Sequence, residues 1–186
     1  MFIQTETTPN PQTLKFLPGR TVIDGDPREF GPEDGAASPL ARRLFDVPGV
    51  VGVFLGSDFV AVTKTEAEWQ HLKPAVLGAI MEHYLSGEPA LAAGAGDTGS
   101  ADDEEFFDPA DAETVGVIRE LIEERVRPAV AQDGGDITFK GFRDGIVYLS
   151  MRGACSGCPS STATLRHGIQ NLLRHYLPEV KEVQAL

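Results

Sequence analysis

The residues with the most chemical potential in this chain are its two cysteines, Cys155 and Cys158, set in Gly153-Ala154-Cys155-Ser156-Gly157-Cys158-Pro159. A secreted disulfide scaffold scatters several cysteines along its length, whereas a lone close pair points to metal binding or redox chemistry. A spacing of three positions brings both side chains to the same side of a turn. Pro159 suits the first turn of a helix, where its missing N–H would have had no partner, so the pair is expected on a loop that leads into a helix. The free amides and positive dipole end of that helix stabilise negative charge. Thiolate is the form that ligates metal, so this placement is expected to lower the cost of deprotonating the sulfurs. Gly153 and Gly157 let the backbone fold closely around them.

Four readings of the pair compete. An iron–sulfur cluster typically takes four thiolates; one chain brings two, and only the weak thioethers of methionine remain as soft donors. The simplest closed solution is a two-fold dimer with two equivalent ligands from each copy. A structural zinc site would need two further ligands. His167 and His175 are eight residues apart on one expected helix, roughly 12 Å along its axis, so one ion cannot reach both; zinc shared by two chains through four cysteines stays open. A thiol–disulfide oxidoreductase would also place Cys-x-x-Cys at a helix start, but the roughly 75 residues around the pair begin with a helix and offer no larger βαβ framework. The last reading is a pair of inert buried thiols, which the flanking glycines make unattractive.

The elements that must position the cysteines form an αββαβ pattern. Val115, Ile118, Ile122 and Val126 mark one face of a helix, which Pro128 should end or kink. Gln132-Asp133-Gly134-Gly135-Asp136 makes a tight connection. Ile137–Phe142 and Ile146–Met151 are expected strands joined at Asp144-Gly145, a strong hairpin signal. After the cysteine loop comes a helix with Leu165, Ile169, Leu172, Leu173 and Tyr176 on its apolar side, stopped by Pro178, and Val180–Val183 can add an edge strand. The first part of the chain reads as ββαββα: strands at Phe2–Glu6 and Thr13–Leu17 around Pro9-Asn10-Pro11, a short helix at Leu40, Leu44 and Phe45, a hairpin of Val50–Leu55 and Phe59–Thr63, and an amphipathic helix over residues 67–86. The expected fold class is α+β, with two small domains, residues 1–88 and 112–186. Between them, residues 89–111 read as a flexible acidic linker of small and charged residues, with an average span of roughly 25–30 Å.

The formal charge of −12 is concentrated in that linker. Residues 1–88 carry 7 Lys/Arg and 12 Asp/Glu, residues 89–111 carry no basic and 7 acidic residues, and residues 112–186 carry 9 of each. No segment offers the basic footprint that phosphate backbones demand, so nucleic acid is not an expected partner. No apolar run approaches the roughly 20 residues of a membrane span, so no membrane is expected either. Residues 1–6 have the character of neither a secretion signal nor an Arg-rich transit peptide, and the expected location is the cytoplasm.

Two stretches carry a family resemblance. Asp133-Gly134-Gly135-Asp136 through Gly153-Ala154-Cys155-Ser156-Gly157-Cys158-Pro159-Ser160-Ser161 resembles the C-terminal NifU-type domain. Thr8-Pro9-Asn10-Pro11-Gln12-Thr13-Leu14-Lys15-Phe16, with Phe54-Leu55-Gly56-Ser57-Asp58-Phe59 and Trp69, is similar to the N-terminal domain of Nfu-type proteins. The resemblance implies a non-enzymatic scaffold or carrier. It would bind a labile 4Fe–4S cluster through Cys155 and Cys158 between two subunits of a homodimer and pass it to apo-proteins, with upstream cluster-assembly factors as further partners. Transfer requires a client thiolate to reach the bound iron, so the site is expected to be partly exposed.

Overall fold

The computed structural model describes residues 1–94, 105–156 and 159–186, the side chains of residues 159–161 excepted. The chain divides into two compact units, Met1–Thr98 and Gly99–Leu186, each α+β and each built on its own sheet.

In the first unit, β1 (Gln4–Thr7), β2 (Thr13–Leu17), β3 (Arg28–Phe30), β4 (Val50–Leu55) and β5 (Val60–Lys64) form an antiparallel sheet of order β1-β2-β5-β4-β3. The three-residue β3 has no hydrophobic run to announce it and adds an edge strand that periodicity does not reveal. Ser38 caps α1 (Pro39–Phe45), its Oγ accepting the Ala41 N–H. Helix α2 (Trp69–Ser86) buries Leu72, Val76, Ala79, Ile80 and His83 and ends on Gly87, whose φ of 73° is left-handed, the conformation glycine adopts at helix ends. The chain leaving α2 stays fastened to this unit. Ser38 Oγ donates to the Ala90 carbonyl, Ala92 N–H donates to the Ala37 carbonyl, and Glu88 pairs with Arg43 at 2.9 Å.

In the second unit the order is β6-β7-β8-β9: β6 (Phe106–Phe107) and β9 (Glu182–Ala185) are parallel to their neighbours, and β7 (Gly135–Arg143) is antiparallel to β8 (Ile146–Gly153). Residues 105–111, assigned to the linker on composition, carry β6 and a short 3-10 turn, Pro109–Asp111; the two phenylalanines give this stretch apolar surface that the rest of the linker lacks. The β7–β8 hairpin turns at Asp144 and Gly145, with φ of 54° and 80°, as a two-residue loop requires. Helix α3 (Ala112–Leu121) passes through a π-helical turn, Ile122–Val126, into α4 (Arg127–Gln132). Pro128 explains the widened turn. It has no N–H for the carbonyl four residues back, and the register shifts so that Arg127 N–H donates to the Ile122 carbonyl. The proline thus re-aims the helix without ending it. Helix α5 (Pro159–Tyr176) contributes Ile169 and Leu173 to a core shared with Val115, Ile118, Ile137 and Leu149.

Candidate metal centre

The cysteine motif follows β8 directly. Gly153 closes the strand with a φ of 69°, a conformation that non-glycine residues resist. Ala154 N–H donates to the Gly134 carbonyl (3.2 Å), and both the N–H and the hydroxyl of Ser156 donate to the Gly153 carbonyl (3.1 and 2.8 Å). From the first turns of α5, the Thr162 hydroxyl donates to the Cys155 carbonyl at 2.8 Å. The loop-to-helix placement expected for Cys155 is therefore present. Gly157 and Cys158 lie outside the described residues.

Two expectations for Cys155 are corrected. Its free thiol is 7% exposed and belongs to the hydrophobic core of its unit, not to a partly open surface. Burial, then the charges of Asp133 and Asp136, push the thiol up to about 11. A helix start favours thiolate only when desolvation and nearby carboxylates do not outweigh it, and here they do. The sulfur packs on the backbone of β7: a Cβ on Gly135 would stand 2.7 Å from Sγ. Gly134, at φ 78°, lets the chain turn from α4 into that strand.

Beside this contact lies a charge network that the sequence did not disclose. Arg127 donates through Nε to Asp136 Oδ1 (2.9 Å) and through Nη2 to Oδ2 (3.1 Å), while its Nη1 reaches both carboxylate oxygens of Glu123 at 2.9 Å. Asp136 is 5% exposed, and its carboxylate, with that of Glu123, holds the Arg127 guanidinium charged well beyond its usual range. The network ties the π-helical turn to the residue that follows Gly135. Only the Glu123–Arg127 spacing of four is a sequence signal; Asp136 is joined to them by the fold.

The remaining candidates lie apart from this centre. His167 and His175 are both exposed on α5, and among the described residues no three His, Cys, Asp or Glu side chains converge as a metal site. In the first unit, Thr8-Pro9-Asn10-Pro11 is a braced turn: Asn10 Oδ1 accepts the Gln12 N–H at 3.0 Å, and Trp69 Nε1 donates to the Pro11 carbonyl at 3.1 Å. Among the described residues no helix is long and apolar enough to cross a membrane.

Comparison with known proteins decides the family. Residues 3–87 match the family model described as scaffold protein Nfu/NifU N terminal, and residues 118–184 match that of the NifU-like domain. The human NFU1 iron-sulfur cluster scaffold homolog, mitochondrial, is 47% identical over the whole of this chain and 72% of its own length. The chain belongs to the Nfu family of iron–sulfur cluster scaffolds. NifU-like protein 4, mitochondrial, of Arabidopsis thaliana is 49% identical over 99% of this Nfu-family chain, which spans 65% of that relative's length. The solution structure of a NifU-like protein from Saccharomyces cerevisiae, 27% identical, aligns over 50% of this chain and 85% of its own with a TM-score of 0.45. The expectation of a cytoplasmic location is overturned, because these human and plant relatives are named mitochondrial.

Proposed function

We propose that this chain carries an iron–sulfur cluster, of the 4Fe–4S type, as cargo on Cys155 and Cys158, shares it with the same two residues of a second copy, and hands it to apo-proteins. The observation that carries the reading is Cys155 seated between β8 and α5 of a NifU-like domain, three positions before the chain's other cysteine. Ligand number supports the second copy: a cluster typically takes four thiolates and the chain has two cysteines. Sharing across a two-fold interface couples loss of the cargo to loosening of the dimer, which suits donation. In the hand-over, client thiolates replace cysteine thiolates on iron one by one, and each thiolate released here takes up a proton. Only iron–thiolate bonds are exchanged, one formed for each broken, and the cluster leaves as it arrived, so the role is that of a carrier and not an enzyme. The clients are apo-proteins with free thiolates, and the cluster itself comes from upstream assembly factors. Thiol–disulfide exchange by the same pair gains no support from a Cys155 thiol that burial keeps protonated at neutral pH.

Anaerobic reconstitution followed by Mössbauer spectroscopy, with mass measured on the same sample, tests the proposal. Wild-type chain is expected to load as a cluster-bridged dimer, and Cys155→Ala and Cys158→Ala are each expected to abolish loading while the first unit stays folded. A single variant with a full 4Fe–4S spectrum, or a loaded monomer without an added thiol, would overturn it.

A further inference from the structure

Strand β6 is the shortest in its sheet, yet the surface beneath it is shaped for what it carries. It runs parallel to β7 in the register Phe106↔Gly141 and Phe107↔Phe142. A Cβ on Gly141 would stand 2.5 Å from the Phe106 ring, so glycine leaves a socket that any side chain would fill. The ring in that socket lies 5.1 Å from the Tyr148 ring and 5.5 Å from the Arg143 guanidinium. Arg119 closes the other side: its guanidinium is 5.6 Å from the ring centres of Phe107 and Phe139, and it pairs with the Glu105 carboxylate. Next to that pair a cleft continues past Ile122, Glu123 and Lys140 to Thr138, whose buried hydroxyl has no hydrogen-bond partner among the described residues.

A strand edge gives main-chain pairing, a glycine socket selects an aromatic ring, and a guanidinium reads both a carboxylate and a π face. The chain fills this groove with its own Glu105-Phe106-Phe107, whose two rings remain only half-buried. Each of these contacts is available equally to the same residue types arriving on another chain. We propose that the β7 edge is a strand-addition site for a partner protein bearing an extended acidic–aromatic–aromatic segment, and that Glu105–Phe107 is its internal competitor. The partner runs parallel to β7, with its acidic residue on Arg119 and its first aromatic opposite Gly141. Arg119 and Arg143 supply the complementary charge. Tethering gives the internal segment a high effective concentration, so the groove is closed in the resting chain and yields only to a segment that outcompetes it. None of these residues belongs to the Cys155 turn, and the site stands whether or not that turn holds a cluster.

The test uses the full chain carrying Phe106→Ser and Phe107→Ser, which empties the groove, and a labelled peptide of residues 103–109, Asp-Glu-Glu-Phe-Phe-Asp-Pro, followed by fluorescence anisotropy. The peptide is expected to bind the double variant at least about ten-fold more tightly than wild type, since the tethered competitor is gone. Adding Arg119→Glu should abolish binding, as should serines in place of the peptide's phenylalanines. A double variant that keeps its circular dichroism but ignores the peptide would overturn the proposal, as would equal binding of the peptide with and without its aromatics. Should that variant not fold, amide hydrogen exchange on the unaltered chain decides. Saturating peptide should strip protection from residues 105–107, and unchanged protection there would refute the site.

Discussion

Gly135→Ala isolates the packing of the cysteine centre. Gly135 pairs with Gly153 at the start of the β7–β8 ladder and has no left-handed φ, so alanine is acceptable to the backbone and its effect is one of contact. The added methyl would lie 2.7 Å from Cys155 Sγ, 2.8 Å from the Arg152 carbonyl oxygen and 3.2 Å from the Cys155 nitrogen. Favourable heavy-atom contacts lie near 3.5–4.0 Å, so the methyl intrudes by roughly 1 Å. The sulfur can rotate away, but the two backbone atoms can yield only if the ladder parts where Asp136 faces Arg152. Overpacking of this kind costs about 1–3 kcal/mol. At about 4–8 °C per kcal/mol for a unit of this size, its melting temperature should fall by roughly 4–24 °C. Scanning calorimetry of the metal-free chain measures that fall. A variant that melts within about 1 °C of wild type would show that the sulfur is not packed on Gly135.

Removing Arg127 by Arg127→Ala leaves the buried Asp136 carboxylate without its two guanidinium donors. Breaking a buried pair from one side costs about 3–5 kcal/mol, toward the lower figure here because the arginine is partly exposed; urea unfolding should show the loss, and adding Asp136→Asn should recover part of it. His83 is fully buried, and neither ring nitrogen has a hydrogen-bond partner among the described residues. Burial, then the Arg43 charge, lowers its pKa, with Glu88 opposing. The unfolded chain therefore takes up a proton below about pH 6.5 that the folded unit refuses. Stability is complete above that pH and lost on acidification, by at most about 1.4 kcal/mol per pH unit, and His83→Leu should flatten the slope in urea melts. In the metal-free chain, alkylation of Cys155 by iodoacetamide should be slow at neutral pH and accelerate toward about pH 11; fast labelling at neutral pH would contradict the buried, protonated thiol.

Sequence was a good guide wherever one local rule dominates. Asp144-Gly145 demanded a hairpin and makes one, and the 3.6-residue pattern of Leu72, Val76 and Ile80 placed α2 within two residues of its start. It was a poor guide where tertiary contacts decide. Strand β3 exists because Arg28–Phe30 finds the edge of β4, and β6 because Gly141 leaves room for a ring. At the centre, the position of Cys155 at a helix entrance was legible, while its charge state was not. The helix dipole can be inferred from Pro159 alone, but desolvation by the core and the carboxylates of Asp133 and Asp136 are properties of the folded unit. The role of Arg127 is not legible in the sequence because its principal partner, Asp136, sits on the far side of the turn from α4 into β7.

The buried thiol changes how the proposed carrier would work. Oxidation selects thiolates that are ionised and accessible, so Cys155, buried against Gly135 with its thiol pushed up, should resist oxidation in the metal-free chain, which would protect the proposed ligand. Under the proposed role, loading would displace a proton and draw the sulfur out of its core contact. Both steps favour the empty state, and they lower the affinity for cargo relative to a preformed, exposed thiolate. For a store that would be a defect. For the proposed carrier it would supply direction: as client thiolates replaced its own, Cys155 would regain its proton and its place on Gly135, and that return would help release the cluster.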